Sequence, residues 1–270
     1  MRNAPHHLLN TPDIEIWPGG LLRARSNHDA RLLARASHVL RRKSDGRYLA
    51  VQLPRGLMPL ITRLPEEPGI ELALNLLDAH LSQPSRMPPP NGELPLAQLQ
   101  QRLDQLGLDS SEYSEQTGLP LVAEPAHLQL AGFDRYRRPL WLTGNAARSW
   151  QRMQHAAAID DIALDAISGY RSHDYQLGIF ERKRARGLSV ADILTVNAAP
   201  GYSEHHGGNA LDISTPGEPP AEESFEHTAA FDWLQRRAGD FHFHMSYPRD
   251  NPHGIVYEPW HWCWRPAGSF

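Results

Sequence analysis

Residues 82–95 read SQPSRMPPPNGELP, and neither a helix interior nor a central strand can run through them. Proline lacks the amide hydrogen that both ladders need, and its ring clashes with the preceding helical turn. Whatever this chain folds into has a break there, so the segment reads as a linker or an extended surface loop. A chain of 270 residues has room for one large domain or two of ordinary size. Before the break, HVLRRK and RYLAVQL flank SDGR and predict a hairpin that turns at Asp45-Gly46. GIELALNLLDAHL reads as a helix. Residues 1–95 are expected to form a small α+β accessory segment, with no chemistry assigned to it.

After the break, LAQLQQRLDQLGL predicts a short helix ending near Gly107, within a helical connection over residues 96–118. GLPLVAEP then reads as an extended lead-in. Thr143 is placed to cap a helix on which Ala146, Trp150, Met153 and Ala157 recur at helical spacing. IALDAISGY reads as a strand. Ser172 caps a second helix, through Phe180 to about Arg186, with Gly187 behind it. A third spans Thr228 to Ala238, with Phe231, Leu234 and Ala238 on one face. DFHFHMSYP and GIVYEPWHWCW read as strands. Helices come first and strands dominate the end, so residues 119–270 are expected to be an α+β domain with a mostly antiparallel sheet and flanking helices.

Charge narrows the partners. Lys and Arg total 27 against 31 Asp and Glu, so there is no broad basic field and nucleic acid is a poor partner. A single cysteine, Cys263, excludes an intramolecular disulfide and leans mildly towards a reducing compartment. MRNAPHHLLNTPDIEIWPGG has no apolar run long enough for the core of a signal peptide. No stretch of roughly 18 apolar residues suggests a transmembrane helix. The expectation is a cytoplasmic chain without a membrane span.

Three short stretches could carry chemistry. In SEHHGGNALD, residues 203–212, Asp212 follows His205 by seven positions. Gly207 and Gly208 allow a tight turn or a close approach. From Asn209 the letters alternate as a strand does, so Ala210 and Asp212 share a face. A loop imidazole and a strand carboxylate could meet at one zinc ion; a polar surface turn would use the same letters. In YEPWHW, residues 257–262, Glu258 and His261 are three apart. A regular strand would point them to opposite faces, so a kink near Pro259 is needed to bring both to one site. Trp260, Trp262 and Trp264 alternate as an aromatic wall. Otherwise Glu258 pairs with an arginine and His261 is a satisfied core histidine. In ISGYRSHDYQ, Arg171 stands just before a capped helix, with Gln176 one turn in. Its guanidinium could hold a carboxylate through two parallel hydrogen bonds, or be an ordinary structural arginine.

Taken together, the three stretches resemble the zinc D-alanyl-D-alanine carboxypeptidases of the VanY type. SGYRS, SEHHGGNALD and EPWHW match that family's SxYRS, SxHxxGxAxD and ExxH patterns, and the resemblance covers roughly residues 119–270. It implies a small α+β fold around an antiparallel sheet, shared with lysostaphin-type peptidases and hedgehog domains. It implies one zinc ion on His205, Asp212 and His261, with Glu258 as general base and Arg171 on the substrate's terminal carboxylate. Ser168, Tyr170, Ser172, Gln176 and Ser203 would line or support the pocket, and Trp260 joins the substrate-facing set from the aromatic wall. His206 falls on a variable position of the pattern. The family usually continues from EPWHW into Arg-Tyr; here Cys263-Trp264 follows. That places a thiol near the metal or, as is commoner for a lone cysteine, in the core.

The implied reaction is removal of C-terminal D-Ala from peptidoglycan stem peptides. For a cytoplasmic enzyme the L,D-reaction, tetrapeptide to tripeptide, is expected over the D,D-reaction, which would consume the cell's own cross-linking precursors. A D-Ala-D-Ala dipeptidase and an endolysin-type peptidase are the neighbouring alternatives, and Pro259 argues against the dipeptidase. An inactive wall-peptide binding module is the alternative of a different class, and it would not need Glu258. A rival metal pair, His242 and His244 in FHFHM, with Asp250 and His253 behind it, would lie on one face of a strand.

Overall fold

The computed structural model describes residues 6–83, 92–96, 98–266 and 268. The proline-rich run from 84 to 91 lies outside the described residues. The chain divides into two compact units, Met1–Pro95 with Pro125–Gln129, and Leu96–Glu124 with Leu130–Phe270.

The first unit is a meander. Strands β1 (His7–Asn10), β2 (Ile14–Pro18), β3 (His38–Arg42), β4 (Tyr48–Leu53) and β5 (Gly56–Pro59) pair antiparallel in chain order. The first residues of β6 (His127–Phe133) lie beside β1, with Leu8 opposite Leu128. Helix α1 (Asn27–Leu33) interrupts the meander and α2 (Ile70–Ser82) follows it. The expected hairpin is β3–β4. Gly46 (φ +70°) takes the left-handed turn position, where glycine avoids the Cβ clash, and the Asp45 carboxylate accepts the Arg47 amide. The core is Leu9, Ile14, Ile16, Leu40, Leu49 and Ala50 under Ile70, Ala73 and Leu77 of α2.

In the second unit the 96–118 segment forms two short helices, α3 (Leu99–Asp104) and α4 (Ser110–Thr117), rather than one connection. Gly107 (φ +69°) separates them. Then come β7 (Pro139–Leu142), α5 (Gly144–Ile159), β8 (Asp165–Ser168), α6 (His173–Arg184), α7 (Val190–Leu194), β9 (Ala210–Ser214), α8 (Ala229–Arg237), β10 (Phe243–Met245) and β11 (His261–Trp264). A four-stranded sheet runs β10-β11-β9-β8 with every pair antiparallel. The domain is therefore α+β with an antiparallel sheet and flanking helices.

Side-chain alternation gives this sheet two different faces. Leu211 and Ile213 of β9 and Trp262 of β11 enter a core with Ala146, Trp150, Met153 and Ala157 of α5 and Phe231 and Leu234 of α8. Full burial of such a side chain contributes about 1.5–3 kcal/mol, and Trp150 and Met153 are fully buried. Asp212 and His261 are the odd-face residues of the same two strands, so the packing that hides Leu211 and Trp262 turns them the other way.

Three local expectations need correction. Thr143 stands at the start of α5, but its hydroxyl donates to Asn209 Oδ1 (2.6 Å) instead of capping the helix. The strand expected over GIVYEPWHWCW begins only at His261; Pro259 and Trp260 form a turn before it. His242 sits at φ +65° ending a 3₁₀ turn, so it does not share a strand face with His244. No helix among the described residues is long and apolar enough to cross a membrane.

Candidate metal centre and substrate pocket

Strand register assembles the centre. Asp212 on β9 is directly opposite His261 on β11, and opposed residues in an antiparallel pair project to the same side. His205 arrives from a 3₁₀ turn, Glu204–Gly207, whose exit is Gly208 in the left-handed region (φ +68°). Asp212 Oδ1 lies 3.2 Å from His205 Nε2 and 3.2 Å from His261 Nδ1. One donor atom from each of the three lies within 4.8 Å of the others, the one such group of three among the described residues. All three residues are buried.

Each imidazole is also tied by its remote nitrogen. His205 Nδ1 donates to the Gly169 carbonyl at 2.7 Å, and His261 Nε2 meets Glu204 Oε2 at 2.8 Å. Fixing the far nitrogen sets the tautomer and aims the other at a metal. Two imidazoles and a carboxylate, each oriented from behind, fit a zinc ion with coordination positions to spare.

Charge points the same way. Burial disfavours ionisation of Asp212, but His205, His261 and Arg171 outweigh it and hold the carboxyl well below its usual range. Burial also works against a charged His261, yet its bonds to Asp212 and Glu204 raise it to about 10. Carboxylates that favour a proton on this ring favour a cation in its place. His205 is pushed down to about 4 by burial and by Arg171, which leaves its Nε2 lone pair free to coordinate.

Glu258 joins the centre through the turn at Pro259. The His261 amide donates to the Glu258 carbonyl at 3.1 Å, and Glu258 Oε2 comes within 3.9 Å of His261 Nδ1. Two side chains that an extended strand would send apart thus face one space. Burial is the leading cause of a Glu258 pKa raised to about 7, and the Asp212 charge adds to it.

A cavity of about 300 Å³ opens from this cluster. Arg171, Gln176 and Ser203 line it with Trp260, Tyr247 and Lys183. Arg171 is held at its backbone, its amide donating to the His205 carbonyl (3.2 Å) and its carbonyl accepting from His206 Nδ1 (2.7 Å). Its Nε is buried without a hydrogen-bond partner. Ser168, Tyr170 and Ser172 stand outside the lining. Ser168 pairs with Asp212 across β8 and β9; the Tyr170 hydroxyl donates to Glu124 (2.5 Å); Ser172 caps α6 at the Tyr175 amide (3.1 Å). Cys263 is buried opposite Ala210, on the same strand face as His261, and burial, followed by the Glu204 charge, pushes its thiol pKa up. His244 lies opposite Cys263 on β10 and is not one of the three grouped donors.

Glu204 was not singled out from the sequence, although it lies inside the SEHHGG run. Its position directly before a suspected ligand was the available signal. Glu204→Gln should lower zinc affinity about 10- to 100-fold, as loss of such an outer partner does, and leave the melting temperature of the chelated protein within a few degrees. Competition with a chromophoric chelator measures the first and calorimetry the second.

The fold and the site together define an α+β domain that sets a His–Asp–His donor group beside an arginine-lined pocket. Residues 139–267 match the model of the VanY family, D-alanyl-D-alanine carboxypeptidase, and over that part the chain is similar to the family. Over 157 residues it is 34% identical to YodJ of Bacillus subtilis (strain 168), which is named as a carboxypeptidase, across 55% of this chain and 56% of that one. It is 31% identical over 125 residues to a D-alanyl-D-alanine carboxypeptidase of Enterococcus faecium, across 45% of this chain and 37% of the relative. The chain thus spans about half the length, or less, of these curated relatives. Among solved structures, the LdcB LD-carboxypeptidase aligns with 33% identity over 46% of this chain and 59% of its own, at a TM-score of 0.43.

Proposed function

We propose that this protein is a zinc-dependent carboxypeptidase that removes C-terminal D-Ala from peptidoglycan stem peptides, with the tetrapeptide as substrate and the tripeptide as product. The observation that carries the reading is the convergence of three donors, a largely buried carboxylate and an arginine on one cavity, supported by the match of residues 139–267 to the VanY family model. His205, Asp212 and His261 would hold the ion, which when bound supplies Lewis-acid polarisation of the scissile carbonyl and a more acidic water.

The remaining work falls to the chain's own side chains. Glu258 takes a proton from the attacking water and delivers it to the departing amine, so the peptide C–N bond breaks as the new C–O bond forms. A carboxylate raised towards neutral pH by burial suits both halves of that transfer. Arg171 holds the free carboxylate of the last residue, which is what confines cleavage to a chain end. Trp260 offers an apolar wall to the small D-Ala methyl group.

The test is mass spectrometry after incubating zinc-loaded protein separately with muropeptide tetrapeptide and pentapeptide. Loss of one alanine from the tetrapeptide alone, abolished by a chelator and restored by zinc, is the expected result. Loss from the pentapeptide alone would replace the L,D-reading with the D,D-one. No cleavage of either by zinc-loaded protein would overturn the enzymatic reading.

A further inference from the structure

The cavity holds a second cation that the proposed reaction has not used. Lys183, in the last turn of α6, lines the same space as Arg171. Its ammonium donates to Asn197 Oδ1 at 2.5 Å, which fixes the lysine against the loop after α7. Neither Lys183 nor Arg171 is ion-paired among the described residues, and Arg171 Nε is buried without a partner. The two repel: burial is the leading cause that lowers the Lys183 pKa, Arg171 comes next, and Glu258 partly offsets them. Asp212 and Glu258, the acidic groups lining the cavity, belong to the metal-and-base set.

Two like charges facing one small cavity are costly unless an anion comes between them. A carboxylate has two oxygens and accepts from two directions. One oxygen can take the guanidinium of Arg171 while the other takes one of the two ammonium hydrogens that Asn197 leaves free. We propose that Lys183, held by Asn197, is the second arm of a two-cation clamp on the terminal carboxylate of the substrate. This rests on the carboxypeptidase reading for its biological ligand, but the clamp itself can be tested without turnover. It makes Lys183 a binding and specificity residue. A chain end capped as an amide loses the charge that both arms recognise, and a lone arginine would discriminate less.

Binding of N-acetyl-D-alanine and of N-acetyl-D-alaninamide to the zinc-loaded full chain, followed by ligand-observed NMR, tests the clamp directly. Lys183→Met should weaken the acid about tenfold, the scale of one charge-assisted hydrogen bond, and leave the amide unchanged. Lys183→Arg should recover most of the loss. Asn197→Ala, which keeps the ammonium but frees it, should show a smaller loss. On a D-Ala-terminated peptide, Lys183→Met should raise KM by a similar factor with kcat within about twofold. Equal effects on acid and amide, or no effect on the acid, would overturn the clamp. If the wild type cleaves D-Ala peptides while Lys183→Met keeps the wild-type KM, the clamp fails and the enzymatic reading stands. If no peptide is cleaved but acid binding depends on Lys183, the enzymatic reading fails and the clamp stands.

Discussion

Glu258→Gln should reduce hydrolysis of a D-Ala-terminated peptide by about 10²- to 10⁴-fold, the range that a positioned general base contributes, while metal content and peptide affinity stay at wild-type levels. The amide matches the carboxylate in shape and cannot take a proton, so the variant removes one function and leaves the packing. Stability should move the other way. Burial raises the Glu258 pKa from 4.5 to about 7 in the folded chain, so folding disfavours the ionised form. Its cost to stability appears as pH rises from 4.5 towards 7 and persists above that. Glutamine carries no such cost, and in chelated protein at pH 7.5 the variant should melt no lower than the wild type. Initial rates by chromatography, metal analysis by emission spectrometry and a thermal melt check the three parts. A residual rate within tenfold of wild type would remove Glu258 from the role of base.

Different parts of this molecule were legible in the sequence to different depths, and the reasons are physical. Helices α5 and α8 could be read because a 3.6-residue period leaves a visible stripe, Trp150, Met153 and Ala157 in one and Phe231 and Leu234 in the other. The hairpin at Asp45-Gly46 could be read because a left-handed turn position favours glycine. Register could not be read: nothing local to ALDIS or HWCW says that Asp212 faces His261 and not a neighbour. The strand assigned to residues 254–264 was too long because alternating tryptophans imitate strand periodicity, while Pro259 turns the chain. His205, Asp212, His261, Glu258 and Arg171 were named from motif spacing and from resemblance, and the structure gathers all five around one cavity. Glu204 and Lys183 stayed invisible because their roles depend on which imidazole or guanidinium the fold brings opposite them. That is tertiary information.

Asp212→Asn should abolish metal binding at micromolar concentrations and hydrolysis with it. A single oxygen of Asp212 lies 3.2 Å from both imidazoles, so this carboxylate is the one anionic member of the donor set and its geometric centre. Losing an outer partner costs metal affinity about 10- to 100-fold, and losing the charged ligand itself should exceed the upper end of that range. The thermal readout is independent of turnover. A ligand that binds only the folded chain stabilises it by about 2.7 kcal/mol at a hundred times its Kd, so zinc should raise the wild-type melting temperature by several degrees. Asp212→Asn should show no such shift, whereas His244→Ala, on the strand outside the donor group, should keep the full shift and one equivalent of metal. Retention of one tightly bound equivalent by Asp212→Asn, with loss in His244→Ala, would move the metal to the FHFHM strand. In that event Glu258 and Arg171 would face a cavity without an ion, and the same two variants would mark the protein as a binder of peptide ends and not a hydrolase.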